Sequence, residues 1–164
     1  VRHINVNVVA GGRGGTALNQ ASCSGHLNVV QTLLRRVDID VNKPRSDGIT
    51  PLYGACGRGH VKVVHALLAH KSIDVNKART KNGITPLFFA SQYGRTEIVR
   101  LLVARDDIHV NKAANDGEAP LWKASQNGHV EIVRILLTVN NIDVNQQSNN
   151  DVTPLLIASL NGHV

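Results

Sequence analysis

The stretch TPLYGACGRGHVKVVHALLAHKSIDVN, residues 50–76, contains the features that decide the fold of this chain. Thr50 is suited to cap a helix by accepting a backbone N–H, and Pro51 suits the first helical position because it has no N–H to leave unpaired. Gly59 suits the end of that helix, since glycine tolerates the left-handed conformation found there. An apolar stripe at helical spacing follows, formed by Val61, Val63, Val64, Leu67 and Leu68. The stretch therefore predicts two short helices followed by a turn-rich link.

Three short markers show that this unit recurs along the chain. The pattern I-x-V-N occurs five times, at residues 4–7, 39–42, 73–76, 108–111 and 142–145, with successive spacings of 35, 34, 35 and 34. The triplet Thr-Pro-Leu, or a close variant, keeps the same step at residues 16–18, 50–52, 85–87, 119–121 and 153–155. Gly-His occurs at residues 25–26, 59–60, 128–129 and 162–163, and Gly94-Arg95 stands in the remaining copy. A period of this size predicts a stacked array in which no unit buries its apolar face alone.

The markers divide the chain into one array over residues 1–164, with four full repeats and a partial unit at each end. The full repeats are residues 16–49, 50–84, 85–118 and 119–152, and the partial units are residues 1–15 and 153–164. End units of such arrays normally carry a polar outer face. The last unit instead carries Leu155, Leu156, Ile157 and Leu160, so we expect the chain to be a fragment of a longer array.

At these residues the chain resembles the ankyrin repeat. The resemblance rests on D-G-x-T-P-L, then A-(A/S)-x-x-G-H, then I-V-x-x-L-L and I-D-V-N, and it covers essentially the whole chain. It implies an all-α fold, an α-solenoid of stacked helix-turn-helix units with one projecting finger loop per unit. It also implies that the fingers and the first helices line a concave surface, the usual docking face of the family.

The chain departs from the ankyrin pattern at three kinds of position. The usual His after Thr-Pro-Leu is replaced in every unit, by Asn19, Tyr53, Phe88, Trp122 and Leu156. Ala119 replaces the capping Thr of one unit, which we expect to cost that helix about 1 kcal/mol. Asp151 replaces the finger glycine of the last unit.

The overall composition permits several kinds of partner. The chain is 42% hydrophobic and 18% charged, with a net charge of +6 and a pI of about 9.8. A basic balance permits an acidic protein, a nucleic acid or a membrane surface as partner, but selects none of them. The longest apolar runs fall far short of the ~18 residues that suggest a membrane span, so we expect no membrane insertion. No basic-then-apolar leader opens the chain, and we expect an intracellular protein of the cytoplasm or nucleus.

Nothing in the sequence indicates an active site, a metal site or a cofactor site, so we expect a non-enzymatic protein. Four of the eight His residues lie in the Gly-His marker, where their repetition indicates a structural role. Cys56 falls in a column of small residues that indicates close helix packing, whereas Cys23, one position further along, is expected to be exposed and not to pair with it. The run at residues 11–15, GGRGG, lacks the Lys-Ser/Thr ending of a phosphate loop, so a flexible finger is the better interpretation.

Two columns of the array vary from unit to unit and are therefore candidates for partner contact. The first column is Gln20, Gly54, Phe89, Lys123 and Ile157. The second column, four positions further on, is Ser24, Arg58, Tyr93, Asn127 and Asn161.

The aromatic residues fall into two groups. Phe89 and Tyr93 are spaced i and i+4, so they share one helical face, and aromatic and Arg residues dominate interface hot spots. We predict a partner-contact patch there; local packing is the alternative. Phe88 lies in the column of Tyr53 and Trp122, for which we predict packing between units. The first-helix part of the predicted partner-binding set is Phe89, Tyr93, Arg58, Lys123, Gln126, Asn127 and Trp122.

The fingers add basic residues to this predicted surface. Lys43, Lys77 and Lys112 follow the V-N of three consecutive units, and Arg45, Arg79 and Lys81 lie nearby. Stacked at roughly 10 Å per unit, comparable to helix–helix spacing, these residues form a basic ridge. The ridge is either a solvated edge or the docking line of an acidic partner. We include Arg45, Arg79 and Lys81 in the predicted partner-binding set.

One modification is implied by the resemblance alone. The Asn of the V-N position is a recurrent target of asparaginyl hydroxylation in ankyrin repeats, and the matching residues are Asn42, Asn76, Asn111 and Asn145. The other explanation for each Asn is a bond from its side chain to the finger backbone.

The leading functional hypothesis is a monomeric interaction module or scaffold that binds a protein or peptide on its fingers and first helices. Oligonucleotide binding is the alternative, with the basic ridge on phosphates and the aromatic residues on bases. The acidic residues Asp47, Asp116 and Glu118 among the fingers count against it. A third hypothesis is a passive spacer in a longer repeat protein.

Overall fold

The computed structural model describes residues 4–10 and 14–163. Within these ranges the chain forms nine helices and no β-strand beyond one isolated bridge between Ala10 and Gly15. The helices are α1 Ala17–Ser24, α2 Leu27–Leu34, α3 Pro51–Arg58, α4 Val61–Leu68, α5 Pro86–Gln92, α6 Thr96–Val103, α7 Pro120–Gln126, α8 Val130–Leu137 and α9 Pro154–Leu160. Residues 11–13 of the glycine-rich run lie outside the described part of the chain, so the predicted flexible finger is not tested there.

The helix ends follow the residues that predict them. The Thr50 hydroxyl accepts the Tyr53 N–H at 3.1 Å, and Pro51 is the first residue of α3. Gly59 ends that helix with a φ of 80°, in the left-handed region that glycine adopts without strain. Ala119 takes the same extended backbone before α7, but it has no side-chain cap. The missing hydrogen bond leaves one N–H of the first turn of α7 without its usual partner.

The helices stack in two rows. The odd-numbered helices contact one another in succession from α1 to α9, the even-numbered helices do so from α2 to α8, and each of α1, α3, α5 and α7 also contacts the helix that follows it. A continuous apolar core runs between the rows, with Leu18, Leu52, Leu87 and Leu121 at equivalent buried positions. The predicted all-α solenoid of stacked helix-turn-helix units is confirmed.

Asparagine side chains join the link of each unit to the link of the next. Asn42 Nδ2 donates to the Ser72 carbonyl at 2.6 Å, and its Oδ1 accepts the Asp74 N–H at 2.9 Å. The same two-way contact is made by Asn7, Asn76 and Asn111. We call this series the asparagine ladder. The bond from side chain to backbone is confirmed for Asn42, Asn76 and Asn111, but the backbone belongs to the neighbouring unit.

The Gly-His marker also has a structural role between units. His60 Nε2 donates to the Cys23 carbonyl at 3.1 Å, and His129 Nε2 donates to the Gln92 carbonyl at the same distance. Where Arg95 replaces His, its Nε donates to the Gly57 carbonyl at 3.3 Å. Each side chain therefore satisfies a carbonyl in the last turn of the preceding first helix, where helical partners are missing.

The two cysteines are both buried, which corrects one expectation. Cys56 lies in the core as predicted, but the prediction that Cys23 is exposed is wrong. A Cβ on Gly54 would lie 2.3 Å from the Cys23 Sγ. Because Gly54 has no side chain, α3 approaches α1 closely enough to cover the thiol.

The last helix leaves its outer face uncovered. Leu155 is 70% exposed, whereas its equivalent in the preceding unit, Leu121, is buried. Val144, in the link before α9, is likewise exposed where Val75 and Val110 are buried. Among the described residues, no helix combines the length and the apolar character needed to cross a membrane.

Candidate partner-binding surface

Three aromatic rings form a continuous cluster that runs from the core to the surface. Tyr53 is buried, and its ring stacks on that of Phe89 with centroids 4.4 Å apart and planes 15° from parallel. Tyr93 then meets Phe89 edge-on, with centroids 4.9 Å apart, and is 49% exposed. Stacked and edge-on pairs are the favoured arrangements of aromatic rings. The cluster therefore holds an exposed aromatic side chain in a defined position.

One glycine of α3, Gly57, makes room for this cluster, because a Cβ on Gly57 would lie 1.8 Å from Phe89 Cε1 in α5. Gly54, one turn earlier, makes room instead for the Cys23 thiol of α1. The Phe89 ring occupies the space that a side chain at residue 57 would fill. Neither glycine belongs to the contact set predicted from the sequence. The signal that could have found them is the presence of glycine in columns that hold larger residues in the other units.

A cavity of about 340 Å³ opens beside Phe89, against the finger of the repeat 16–49. We call it the aromatic notch; Gly54 and Gly57, Phe89 and Tyr93, and Arg58 and Asp47 are among the residues that line it. Its walls are thus both aromatic and charged, and they come from three successive units.

Two of the three guanidinium groups near the notch already contact Asp47. Arg45 is only 10% exposed and pairs with the Asp47 carboxylate at 2.8 Å. Arg79 Nε donates to the Asp47 carbonyl at 2.9 Å, and the Arg79 guanidinium partly offsets the burial that raises the pKa of the Tyr53 hydroxyl. Arg58 is exposed and forms no ion pair or hydrogen bond within the described ranges. Of the three guanidinium groups, that of Arg58 is therefore the one open to solvent.

The prediction of a continuous basic ridge is wrong for its two arginines. Arg45 and Arg79 turn their guanidinium groups onto Asp47 rather than into solvent. Lys81 is exposed, and Lys112 reaches back along the array to the Asn76 carbonyl at 3.2 Å. Arg45 thus pairs within its own finger, whereas Arg79 and Lys112 each contact the backbone of the preceding unit.

The α7 residues of the predicted contact set mostly direct their side chains to other residues of the protein. Trp122 is 5% exposed and its Nε1 donates to the Val152 carbonyl at 2.9 Å. It belongs to the packing set, with Tyr53 and Phe88, which are buried as predicted. The prediction that Trp122 also contacts a partner is not supported, because its side chain is buried.

Lys123 is the most constrained residue of that part. Its side chain is 13% exposed and pairs with Glu118. Lys123 Nζ also donates to Gln126 Oε1 at 2.7 Å and lies 4.9 Å from the centre of the Trp122 ring. Asn127 is exposed, although its Nδ2 donates to the Gln92 carbonyl at 2.9 Å. Lys123, Gln126 and Asn127 thus have side chains held by contacts within α7 or with α5, unlike the exposed side chains of Tyr93 and Arg58.

The described residues offer little for catalysis or metal binding. No group of His, Cys, Asp and Glu side chains within them is arranged to hold a metal ion. Burial raises the pKa of both thiols, Cys23 and Cys56, which opposes formation of the reactive thiolate.

The four asparagines implied as hydroxylation targets differ in their surroundings. Asn42, Asn76 and Asn111 use both atoms of the amide in the asparagine ladder. Asn145 is exposed at the last position of the series. Hydroxylation of these residues stays a prediction.

Comparison with known proteins identifies one family. The sequence model of the family described as ankyrin repeats (3 copies) matches residues 18–114 and 105–164. No curated protein matches the chain.

Proposed function

The chain belongs to the ankyrin repeat family, whose members are generally protein–protein interaction modules and typically not enzymes, and from this membership we propose that it binds a protein or peptide on its fingers and first helices. The proposed surface is centred on Phe89, Tyr93 and Arg58, and it includes Lys81, Gln126 and Asn127. The observation that carries the proposal is Tyr93, an exposed aromatic side chain held edge-on to Phe89. The few residues that carry most of the binding energy in protein interfaces are enriched in Trp, Tyr and Arg.

We place the protein inside the cell, in the cytoplasm or nucleus, as a monomer. Two free cysteines and no disulfide in the described residues fit a reducing compartment. Oligonucleotide binding is less well supported than protein binding, because the guanidinium groups of Arg45 and Arg79 already contact Asp47.

A pull-down from cell lysate tests the proposal by comparing the wild type with Phe89→Ala/Tyr93→Ala and with Tyr93→Ala alone. The single variant removes only a half-exposed ring, so it keeps the test valid if the double variant unfolds. Val29→Ala/Val37→Ala is the matched control, because it removes two other exposed apolar side chains. We expect a protein partner that is kept by the control and lost from the Tyr93 variants.

Two results would contradict this proposal. A partner retained equally by all variants would place the binding surface elsewhere. Nucleic acid recovered on every variant, removed by nuclease and released by moderate salt, would support the oligonucleotide alternative, since phosphate contacts depend steeply on salt.

A further inference from the structure

The aromatic notch differs from the rest of the first-helix surface in its shape. In α3 the two residues facing it, Gly54 and Gly57, have no side chains, whereas α7 carries Lys123 and Gln126 at the equivalent positions. The cavity of about 340 Å³ is lined by residues of three successive units, and none of its lining residues belongs to α7. At the liquid volume of water it corresponds to roughly ten molecules, enough for a large side chain of a partner.

The walls of the notch select an apolar or aromatic group. Phe89 presents its ring above Gly57, Tyr93 stands beside it, and Ile49 contributes an aliphatic side chain from the finger. A bound side chain would contact carbon atoms on several sides. Burial of apolar area is the main source of affinity in such pockets.

The charges around the notch select a negative group beside the apolar one. Arg45 and Arg58 line it with two positive charges, Arg79 adds a third beside Tyr53, and Asp47 supplies one negative charge. Asp47 is already shared by Arg45 and Arg79, through its carboxylate and its carbonyl. A second carboxylate would find Arg58 open, whereas a cationic group would meet repulsion from all three guanidinium groups.

We propose that the notch binds an acidic segment of a partner protein, in which a large apolar side chain enters the cavity and a neighbouring Asp or Glu pairs with Arg58. This proposal rests on the proposed function, because it names the partner chemistry of the same surface. A protein segment fits better than a nucleic acid, since one open guanidinium suits one carboxylate, whereas a nucleic-acid strand presents a series of phosphates to a row of cations. The open row that a strand needs is interrupted at Arg45 and Arg79.

A random 12-residue peptide library displayed on phage provides the probe. It is selected on the full chain, with counter-selection on Tyr93→Ala to remove peptides that bind elsewhere. We expect the enriched peptides to share an Asp or Glu next to Leu, Ile, Phe or Trp. Synthetic copies of these peptides are then titrated against the wild type and Arg58 variants.

The charge-reversal variant gives the sharpest result. Removing one exposed ion pair with Arg58→Ala should weaken binding about two- to fivefold, and Arg58→Glu should weaken it further, because attraction becomes repulsion. Peptides with Lys in place of the acidic residue should bind Arg58→Glu better than the wild type. Lys62→Glu, which makes the same charge change at an exposed position of α4, should leave the affinity unchanged. Thermal unfolding verifies that each variant is folded.

The outcomes separate this inference from the function on which it rests. Peptides that depend on Tyr93 but show no acidic preference, and bind Arg58→Glu as well as the wild type, would overturn the inference and leave the proposed function standing. If no peptide depends on Tyr93, both are overturned. A random 20-nucleotide RNA is tested in parallel; RNA binding that depends on Tyr93 and Arg58, with no acidic peptide selected, would overturn the inference in favour of nucleic acid.

Discussion

The ring of Phe89 lies where Gly57 has no side chain: a Cβ on Gly57 would be 1.8 Å from Phe89 Cε1. The two residues belong to successive first helices, so the contact joins two repeats. The contact also fixes the position of the Phe89 ring, against which the Tyr93 ring packs edge-on. A residue that has no side chain thus determines the shape of the proposed binding surface.

Replacing Gly57 with Ala should have opposite effects in two backgrounds. In a helix, Gly→Ala normally stabilises by about 0.5–1 kcal/mol, but here the added methyl collides with Phe89, and overpacking of this kind costs about 1–3 kcal/mol. We expect Gly57→Ala to lower the free energy of unfolding in urea by about 1 kcal/mol. In a Phe89→Ala background the same substitution should raise it. Effects of the same sign in both backgrounds would show that the ring does not occupy this space.

The missing cap of α7 should be repairable. Ala119 has the backbone of an N-cap but no hydroxyl, and the caps of neighbouring units, Thr50 and Thr85, are buried in equivalent places. Ala119→Thr should therefore stabilise the protein by about 1 kcal/mol, measured as a rise in the midpoint of urea unfolding. Thr85→Ala is the reverse substitution and should destabilise by a similar amount. A neutral Ala119→Thr beside a destabilising Thr85→Ala would mean that α7 does not accept a cap.

Each asparagine of the ladder should contribute to stability only where its side chain bonds to the backbone of the next link. Asn76→Ala removes the bonds to the Asp107 carbonyl and the His109 N–H, at a net cost of about 0.5–1.5 kcal/mol each. Hydrogen exchange should show faster exchange of the His109 amide in this variant. Asn145→Ala is the matched control. Asn145 is exposed, and within the described residues its side chain makes no ladder bond. Equal losses of stability in the two variants would contradict the structural role of the ladder.

Buried thiols should make the protein less stable as the pH rises above about 8.5, the ordinary pKa of a cysteine. Burial raises the folded-state pKa of Cys23 and of Cys56. Above the unfolded pKa the unfolded chain loses these protons while the folded chain keeps them, so the pH rise favours unfolding. The measurement is urea unfolding at pH 7.5, 8.5 and 9.5, compared with Cys23→Ser/Cys56→Ser. An identical pH dependence in the two proteins would contradict this prediction.

Most of the fold could be predicted from the sequence because its determinants are local. The Thr50 and Pro51 pair and Gly59 mark helix ends through the backbone needs of the residues themselves, and the helices begin and end there. The burial of Cys23 could not be predicted in this way. It depends on the absence of a side chain at Gly54, in a neighbouring helix.

The candidate site was less predictable than the fold. The spacing of Phe89 and Tyr93 placed both rings on one face, and the two rings do meet. Spacing alone does not give the direction of a long flexible side chain, so the sequence predicts a basic ridge that includes Arg45 and Arg79, although both turn to Asp47. Trp122 shows the same limit, because its carbonyl partner, Val152, lies in the following finger.

The asparagine ladder has a mechanical consequence. Each amide joins two successive links by one donated and one accepted bond of 2.6–2.9 Å, so it holds them at a nearly constant spacing. The first helices are separated instead by side chains of unequal size, such as Tyr53, Phe88 and Trp122. When the array bends under load, the distances between successive first helices should therefore change, whereas the distances between successive links should stay constant.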